Sequence, residues 1–194
     1  MSVEIKPRRL PGGPWIQGYA LDVHMLSSTF IGYDQNGRAR FDSLRSPVGE
    51  LLYRLKYQQD RAVIDQLAEA AEGFLRTWKP PIEAIVPVPP SLPRRSQPVI
   101  AVATALAERV QIPLWTSCLS KVKKTPQLKD IVEYDKRTEA LRDAFAVTTD
   151  QTAGKTLLLF DDLYGSGATV GNIAEVLKGQ GGAKAVYLLT LTTK

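Results

Sequence analysis

The stretch Thr156-Leu-Leu-Leu-Phe160, then Asp161-Asp162-Leu163-Tyr164-Gly165-Ser166-Gly167-Ala168-Thr169, then an amphipathic run from Val170, decides how this chain reads. A short continuous apolar run bounded by polar residues is the pattern of a parallel strand buried on both faces. Two acids stand at its C-terminal end, and a Gly-Ser-Gly loop follows. Beyond the loop, Ile173, Val176 and Leu177 share one face of a helix expected over 170–179, with Thr169 placed to cap or enter it. Strand, glycine loop and helix N-terminus in that order make an anion cradle. Loop amides and the positive end of the helix dipole converge on one spot, and glycine lets the backbone come close. Two carboxylates beside such a cradle repel a bare phosphate, so they suit ribose hydroxyls or, through water, a divalent cation. The loop has neither the Gly-Lys-Ser/Thr ending of a Walker loop nor a Gly-x-Gly-x-x-Gly spacing.

The rest of the chain supplies strands and helices in alternation. Ser46-Pro47-Val-Gly-Glu50 is a helix start, with an apolar face at Val48, Leu51, Leu52 and Leu55. Asp60 is the expected cap of a second helix, whose inward residues are Val63, Ile64, Leu67, Ala71, Phe74 and Leu75, and Lys79-Pro80-Pro81 ends it. A strand over 82–88 runs into a proline-rich turn that ends at Arg94 and Arg95. That turn is expected at a C-terminal sheet edge, where α/β proteins bind ligands, and guanidinium groups match pyrophosphate oxygens bidentately. A helix over 98–109 and a short strand over 112–116 follow. The segment 119–144 is basic, proline-interrupted and highly charged, which predicts either a mobile excursion able to close over a ligand or a solvated loop with a charged helix. Strands return at 144–147 and 183–191. This alternation predicts an α/β fold: a mostly parallel, twisted sheet with helices on both faces, over residues 47–194.

Residues 1–46 look different. Strand character at 19–26 and 29–33, with the turn signal Asn36-Gly37, predicts a small antiparallel, β-rich hood, with Trp15, Tyr19, Tyr33 and Phe41 as its core. His24, the single histidine, reads as a packed strand residue.

Size and composition bound the function. The 194 residues suit one domain with a three-layer core. No apolar run reaches bilayer-crossing length, and residues 1–14 carry charges and prolines unlike a secretory signal, so cytoplasm and no membrane partner are expected. The single cysteine, Cys118, excludes an intramolecular disulfide and a zinc finger in a monomer. A net charge of +5 fits either a basic mouth for a polyphosphate substrate or weak contact with nucleic acid. Clustering of the basic residues in the candidate phosphate loops favours the first.

Leu158-Leu-Phe-Asp-Asp-Leu-Tyr-Gly-Ser-Gly-Ala-Thr169 resembles the PRPP-binding signature of type I phosphoribosyltransferases. The resemblance extends to the ComF-like branch through Leu55-Lys56-Tyr57-Gln-Gln-Asp60, Ile85-Val-Pro-Val-Pro89, Thr125-Pro126-Gln127 and Arg137 with Ala144-Phe145, all in order over residues 47–194. It implies that Asp161 and Asp162 hold the ribose hydroxyls and that Leu163, Tyr164, Gly165, Ser166, Gly167, Ala168 and Thr169 bind the rest of PRPP around its 5′-phosphate. It makes Val88, Pro89, Ser91, Arg94 and Arg95 the pyrophosphate loop, and places Lys123 and Arg137 in a flexible catalytic loop. Mg²⁺ is the implied cofactor, held through water by Asp161 and Asp162. Three features depart from that branch: no four-cysteine zinc module, Arg95-Ser96-Gln97 in place of Arg-Gly-Phe-Asn-Gln, and Ala140 where an asparagine is usual.

The expected activity is Mg²⁺-dependent transfer of phosphoribose from PRPP to a nucleobase-like nitrogen acceptor, with release of pyrophosphate. The alternative is a non-catalytic module of the same fold that senses nucleotides or serves in DNA uptake. A homodimer is the default assembly. With the chain ending at its last strand, the acceptor is expected to meet residues 1–46, the loop 119–136 or another subunit.

Overall fold

The computed structural model describes residues 3–90, 97–123, 125 and 133–194. In it the apolar run becomes strand β8 (Thr156–Tyr164), lying parallel between β9 (Ala185–Thr193) and β5 (Ala84–Pro87). On its other side β9 takes β2 (Gly18–Val23), also in parallel, and the short β1 (Arg8–Arg9) closes that edge antiparallel. The sheet order is therefore β1-β2-β9-β8-β5.

Both faces are covered, which is why the strands read as unbroken apolar runs. On one face α5 (Ala168–Gly179) packs Val170, Ile173, Ala174 and Leu177 onto Leu157, Leu159, Val186 and Leu188. A hairpin of β6 (Leu119–Lys121) and β7 (Phe145–Val147) extends that layer. The other face carries α1 (Pro47–Tyr57), α2 (Ile64–Trp78) and α3 (Pro98–Val110) over Leu21, Ile85, Leu158, Phe160, Leu189 and Leu191. Among the described residues no helix is long and apolar enough to cross a membrane.

The local signals fold as their chemistry dictates. Ser46 caps α1: its hydroxyl accepts from the Gly49 amide at 3.0 Å and donates to the Val23 carbonyl. Asp60 accepts from the Ala62 amide and starts a 3-10 turn, Arg61–Val63, that leads into α2. The 112–116 segment makes only a single parallel bridge, Ile85 to Leu114. Pro113 has no amide hydrogen to continue a ladder.

The hood is smaller than residues 1–46. Gly18–Val23 belongs to the main sheet, because Ala20 and Leu21 are both fully buried and need a layer on each side. What remains apart is a hairpin of β3 (Met25–Tyr33) and β4 (Ala39–Arg45), turned at Gly37 with Asp34 accepting from the Asn36 and Arg38 amides. The expected hood core is split accordingly. Trp15 is buried beside the sheet and Tyr19 packs on Phe74 and Trp78, whereas Tyr33 and Phe41 are 70% and 54% exposed. A two-stranded ribbon has no second layer to cover them.

A close approach at Gly49 is among the contacts that tie the hairpin's root to the core. A Cβ at Gly49 would lie 2.2 Å from the His24 carbonyl oxygen. Alanine at a helical position ordinarily gains about 1 kcal/mol over glycine. Gly49→Ala is nevertheless expected to destabilise, by about 1–3 kcal/mol, because main chain must move to admit the methyl. Urea unfolding midpoints measure this; an increase would mean that the β2–β3 junction yields freely.

Candidate functional site

Strand alternation sends Asp161 and Asp162 to opposite faces of β8. Leu157 and Leu159 pack in the α5 layer, Leu158 and Phe160 in the α1–α3 layer, and the two acids continue these rows beyond the core. Asp162 meets Lys56 of α1, Nζ to Oδ2 2.6 Å. Its amide donates to Asp161 Oδ1 at 2.8 Å, and its carbonyl accepts from Thr192 Oγ1 at 3.1 Å. With its one proton engaged there, the Thr192 hydroxyl accepts from His24 Nδ1 at 3.3 Å. Burial, and then the charges of Lys56 and Arg45, lower the His24 pKa, so the ring is neutral.

The acids are electrically unequal. Burial, reinforced by the neighbouring Asp162 charge, pushes the Asp161 pKa up to about 8, against the opposing pull of the Asp162 amide and Lys56. The site therefore holds one carboxylate paired with lysine and one carboxyl that keeps its proton near neutrality. Adjacent like charges are avoided in the way paired carboxylates usually avoid them.

The loop after β8 is set by Gly167. Its φ of +82° is costly for other residues, and a Cβ there would lie 2.4 Å from the Tyr164 hydroxyl oxygen. Tyr164 is itself buried, edge-on to Trp15 with ring centroids 6.3 Å apart. Gly167 is the residue before α5, Thr169 enters the helix rather than capping it, and no side chain caps the helix. The first amides of α5 are thus left for a ligand or water.

Two depressions meet at this point. The smaller, about 190 Å³, is walled by residues 163–170 with Asp161, Arg137 and Lys194. The larger, about 260 Å³, lies across Asp161 and Thr169, between Lys56, Asp162 and the Val88-Pro89-Pro90 turn. Chemically, the first offers backbone amides and cations to an anion. The second offers a lysine and two carboxyl groups.

The residues singled out from the sequence are distributed as follows. Asp161, Leu163, Tyr164, Gly165, Ser166, Gly167, Ala168 and Thr169 line the smaller depression, which Arg137 of α4 (Tyr134–Ala140) also reaches. Asp162, Val88 and Pro89 line the larger one. Lys123 lines neither; its Nζ donates to the Arg142 carbonyl at 3.4 Å. Ser91, Arg94 and Arg95 lie outside the described residues. Sequence reasoning assigned no site role to Lys56, Lys194 or the Thr192–His24 pair; Lys56 alone had a signal, as part of the Leu55-Lys56-Tyr57 stretch, but nothing in it pointed to Asp162. Among the described residues, no group of three or more His, Cys, Asp or Glu side chains is placed to hold a metal.

No protein-family model matches the chain, and no curated protein matches it. Similar solved structures include UMP synthase from Leishmania donovani, at 16% identity and TM-score 0.40 over 86% of this chain. The match covers 27% of that enzyme, so the chain spans about a quarter of its length. A purine phosphoribosyltransferase from Pyrococcus horikoshii matches at 20% identity and TM-score 0.43, over 67% of this chain and 72% of that one. Adenine phosphoribosyltransferase from Saccharomyces cerevisiae matches at 15% identity and TM-score 0.46, over 86% and 85%.

The geometry makes two predictions. Gly167→Ala puts a methyl group against the Tyr164 ring at a positive φ, and is expected to cost about 1–3 kcal/mol in chemical denaturation. The second concerns pH. Because the folded-state pKa of Asp161 is raised, the folded protein keeps a proton that the unfolded chain releases, and stability falls between the ordinary carboxylate range and about pH 8. Asp161→Asn removes that loss. Solvent still reaches Asp161, so the gain is modest: near zero at pH 4, growing to about 2–4 °C in melting temperature by pH 8. A gap that stays flat with pH would show that Asp161 ionises normally.

Proposed function

We propose that this protein is a phosphoribosyltransferase that binds PRPP with Mg²⁺ and transfers its phosphoribosyl group to a nucleobase-like nitrogen, releasing pyrophosphate. The observation that carries this reading is the shared wall of the two depressions. An amide-lined cup ending at Thr169 adjoins an acid pair, and the acid pair adjoins a second cavity containing a lysine. A 5-phosphate, a vicinal diol and a diphosphate need those three surroundings in that order. The resemblance of residues 158–169 to a PRPP-binding signature supports the same assignment.

In this reaction the C1′–O bond to pyrophosphate breaks and its electron pair leaves with the diphosphate. The acceptor nitrogen supplies the pair for the new C1′–N bond. Positive charge builds on the ribose ring, so positioning and electrostatics carry the catalysis rather than a covalent nucleophile. Amides of residues 165–169, with the hydroxyls of Ser166 and Thr169, hold the 5-phosphate; Arg137 and Lys194 add charge at the same cup. Asp161 and Asp162 accept hydrogen bonds from the 2′- and 3′-hydroxyls, Asp161 releasing its proton to solvent as they bind. Val88 and Pro89 border the diphosphate, with Ser91, Arg94 and Arg95 following them in the chain.

The donor set fits a metal that arrives with its substrate. Two carboxyl groups, one already paired with Lys56, are too few for a resident ion, whereas Mg²⁺ keeps several waters and is commonly held by one or two carboxylates plus phosphate oxygens. Mg²⁺ would neutralise charge on the departing pyrophosphate.

Calorimetry and turnover test the proposal together. PRPP with Mg²⁺, and ribose 5-phosphate alone, are expected to bind, and Asp162→Asn to weaken ribose 5-phosphate by about 10-fold or more through loss of charge-assisted hydrogen bonds. Pyrophosphate release is expected with at least one member of a panel of purine and pyrimidine bases. Binding with no release across the panel would favour the non-catalytic sensor, and silence with both phosphorylated sugars would overturn the assignment.

A further inference from the structure

The Lys56–Asp162 contact joins the last turn of α1, which packs on β2 and β9, to the C-terminal part of β8. At 2.6 Å it is a close ion pair, with the side chains 20% and 17% exposed. Lys56 also borders the 260 Å³ depression together with both acids. Among the described residues lining that cavity it supplies the positive charge; its other walls are apolar or neutral, from Val88, Pro89, Pro90 and the start of α3. Asp162 is fixed through its main chain, by the Thr192 hydroxyl on its carbonyl and by the bond from its amide to Asp161. The lysine end is the adjustable one: a compact ammonium on a four-carbon stem beside an open cavity.

While Lys56 holds Oδ2, its ammonium takes one acceptor direction of that carboxylate and offsets its charge, so Asp162 is a weaker acceptor for a sugar hydroxyl than the unpaired carboxylate would be. A diphosphate entering the cavity carries more negative charge than one carboxylate, and so offers the ammonium a stronger partner.

We propose that Lys56 is an exchangeable counter-ion: it neutralises Asp162 in the empty site and moves onto the oxygens of an incoming diphosphate, releasing Asp162 to bind sugar hydroxyls. Entry of the diphosphate and readiness of the diol site are then one event, and the two halves of the ligand bind cooperatively. The inference rests on the assignment of the site to a phosphorylated, pyrophosphorylated pentose. It adds a residue and a coupling that this assignment does not contain.

The probes are inorganic pyrophosphate and ribose 5-phosphate, titrated by calorimetry singly and together. With wild-type protein, saturating pyrophosphate is expected to tighten ribose 5-phosphate by about 5-fold or more. Lys56→Gln should weaken pyrophosphate about 10-fold and abolish the tightening. Lys56→Arg keeps the charge and should keep most of the coupling, which a merely structural role for the side chain would not require. Asp162→Asn provides the opposite sign: with Lys56 released, pyrophosphate alone should bind more tightly than to wild type, while ribose 5-phosphate is weakened. Unchanged pyrophosphate affinity in both Lys56→Gln and Asp162→Asn, with ribose 5-phosphate still bound by wild type, overturns the exchange and leaves the site assignment standing. No binding of either probe to wild type overturns both. Thermal melts of each variant confirm folding, and the Asp162→Asn titration decides the matter alone should Lys56→Gln fail to fold.

Discussion

Adjacent carboxyl groups at the end of a buried parallel strand are the constraint around which the rest of this molecule is arranged. Two like charges at successive positions of β8 would be intolerable if both were ionised and unpartnered. Pleating separates them onto opposite faces, and the two faces treat them differently. On the helical side α1 delivers Lys56 to Asp162 at 2.6 Å. On the other side burial dominates, and Asp161 keeps its proton instead. The pair thus holds its charge in two different ways, one acid in an ion pair and the other protonated by burial.

The loop next to this pair is held by packing rather than by hydrogen bonds from a capping side chain. Tyr164 lies beneath Gly167 and against Trp15, so a residue of the N-terminal segment supports the turn that follows β8. Leaving α5 without a side-chain cap keeps its first amides available, and the buried ring beneath keeps them in place. The same N-terminal segment reaches the acids by another path, through His24 and Thr192 to the Asp162 carbonyl. Residues before α1 are therefore part of the site's support, not an appendage. Among the described residues the β3–β4 ribbon stands outside the layers, with Phe30, Tyr33 and Phe41 clustered on its surface.

Much of this was legible in the sequence, and the legible parts share a property. The β8 run, the glycine loop, the start of α1 at Ser46, the Asp60 cap, the end of α2 at Lys79 and the turn at Gly37 are all decided within a few residues. Steric limits on glycine and proline, the need to satisfy helix-end amides, and the period of burial act over that range. The parallel sheet with helices on both faces followed from their alternation. The strand, acid pair and glycine loop in succession also foretold that Asp161 and residues 163–169 border one depression, while Asp162 faces the adjoining one.

What only the tertiary structure decided is which distant residues share that spot. The sequence of residues 18–23 marks a strand, but its place beside β9, rather than in a separate hood, depends on which sheet edge lay open to cover Ala20 and Leu21. Lys56 stands out in the sequence only as part of the Leu55-Lys56-Tyr57 stretch, and its partner is unknown until α1 is laid across the sheet and its ammonium arrives at Asp162. Thr192, Lys194 and Arg137 come to the site by strand order and helix packing, and Lys123 is turned away from it by the same means. Local chemistry determines the elements and the residues that cannot be anything else. The charge balance between separated groups is set by long-range contacts, and those exist only once the layers have closed.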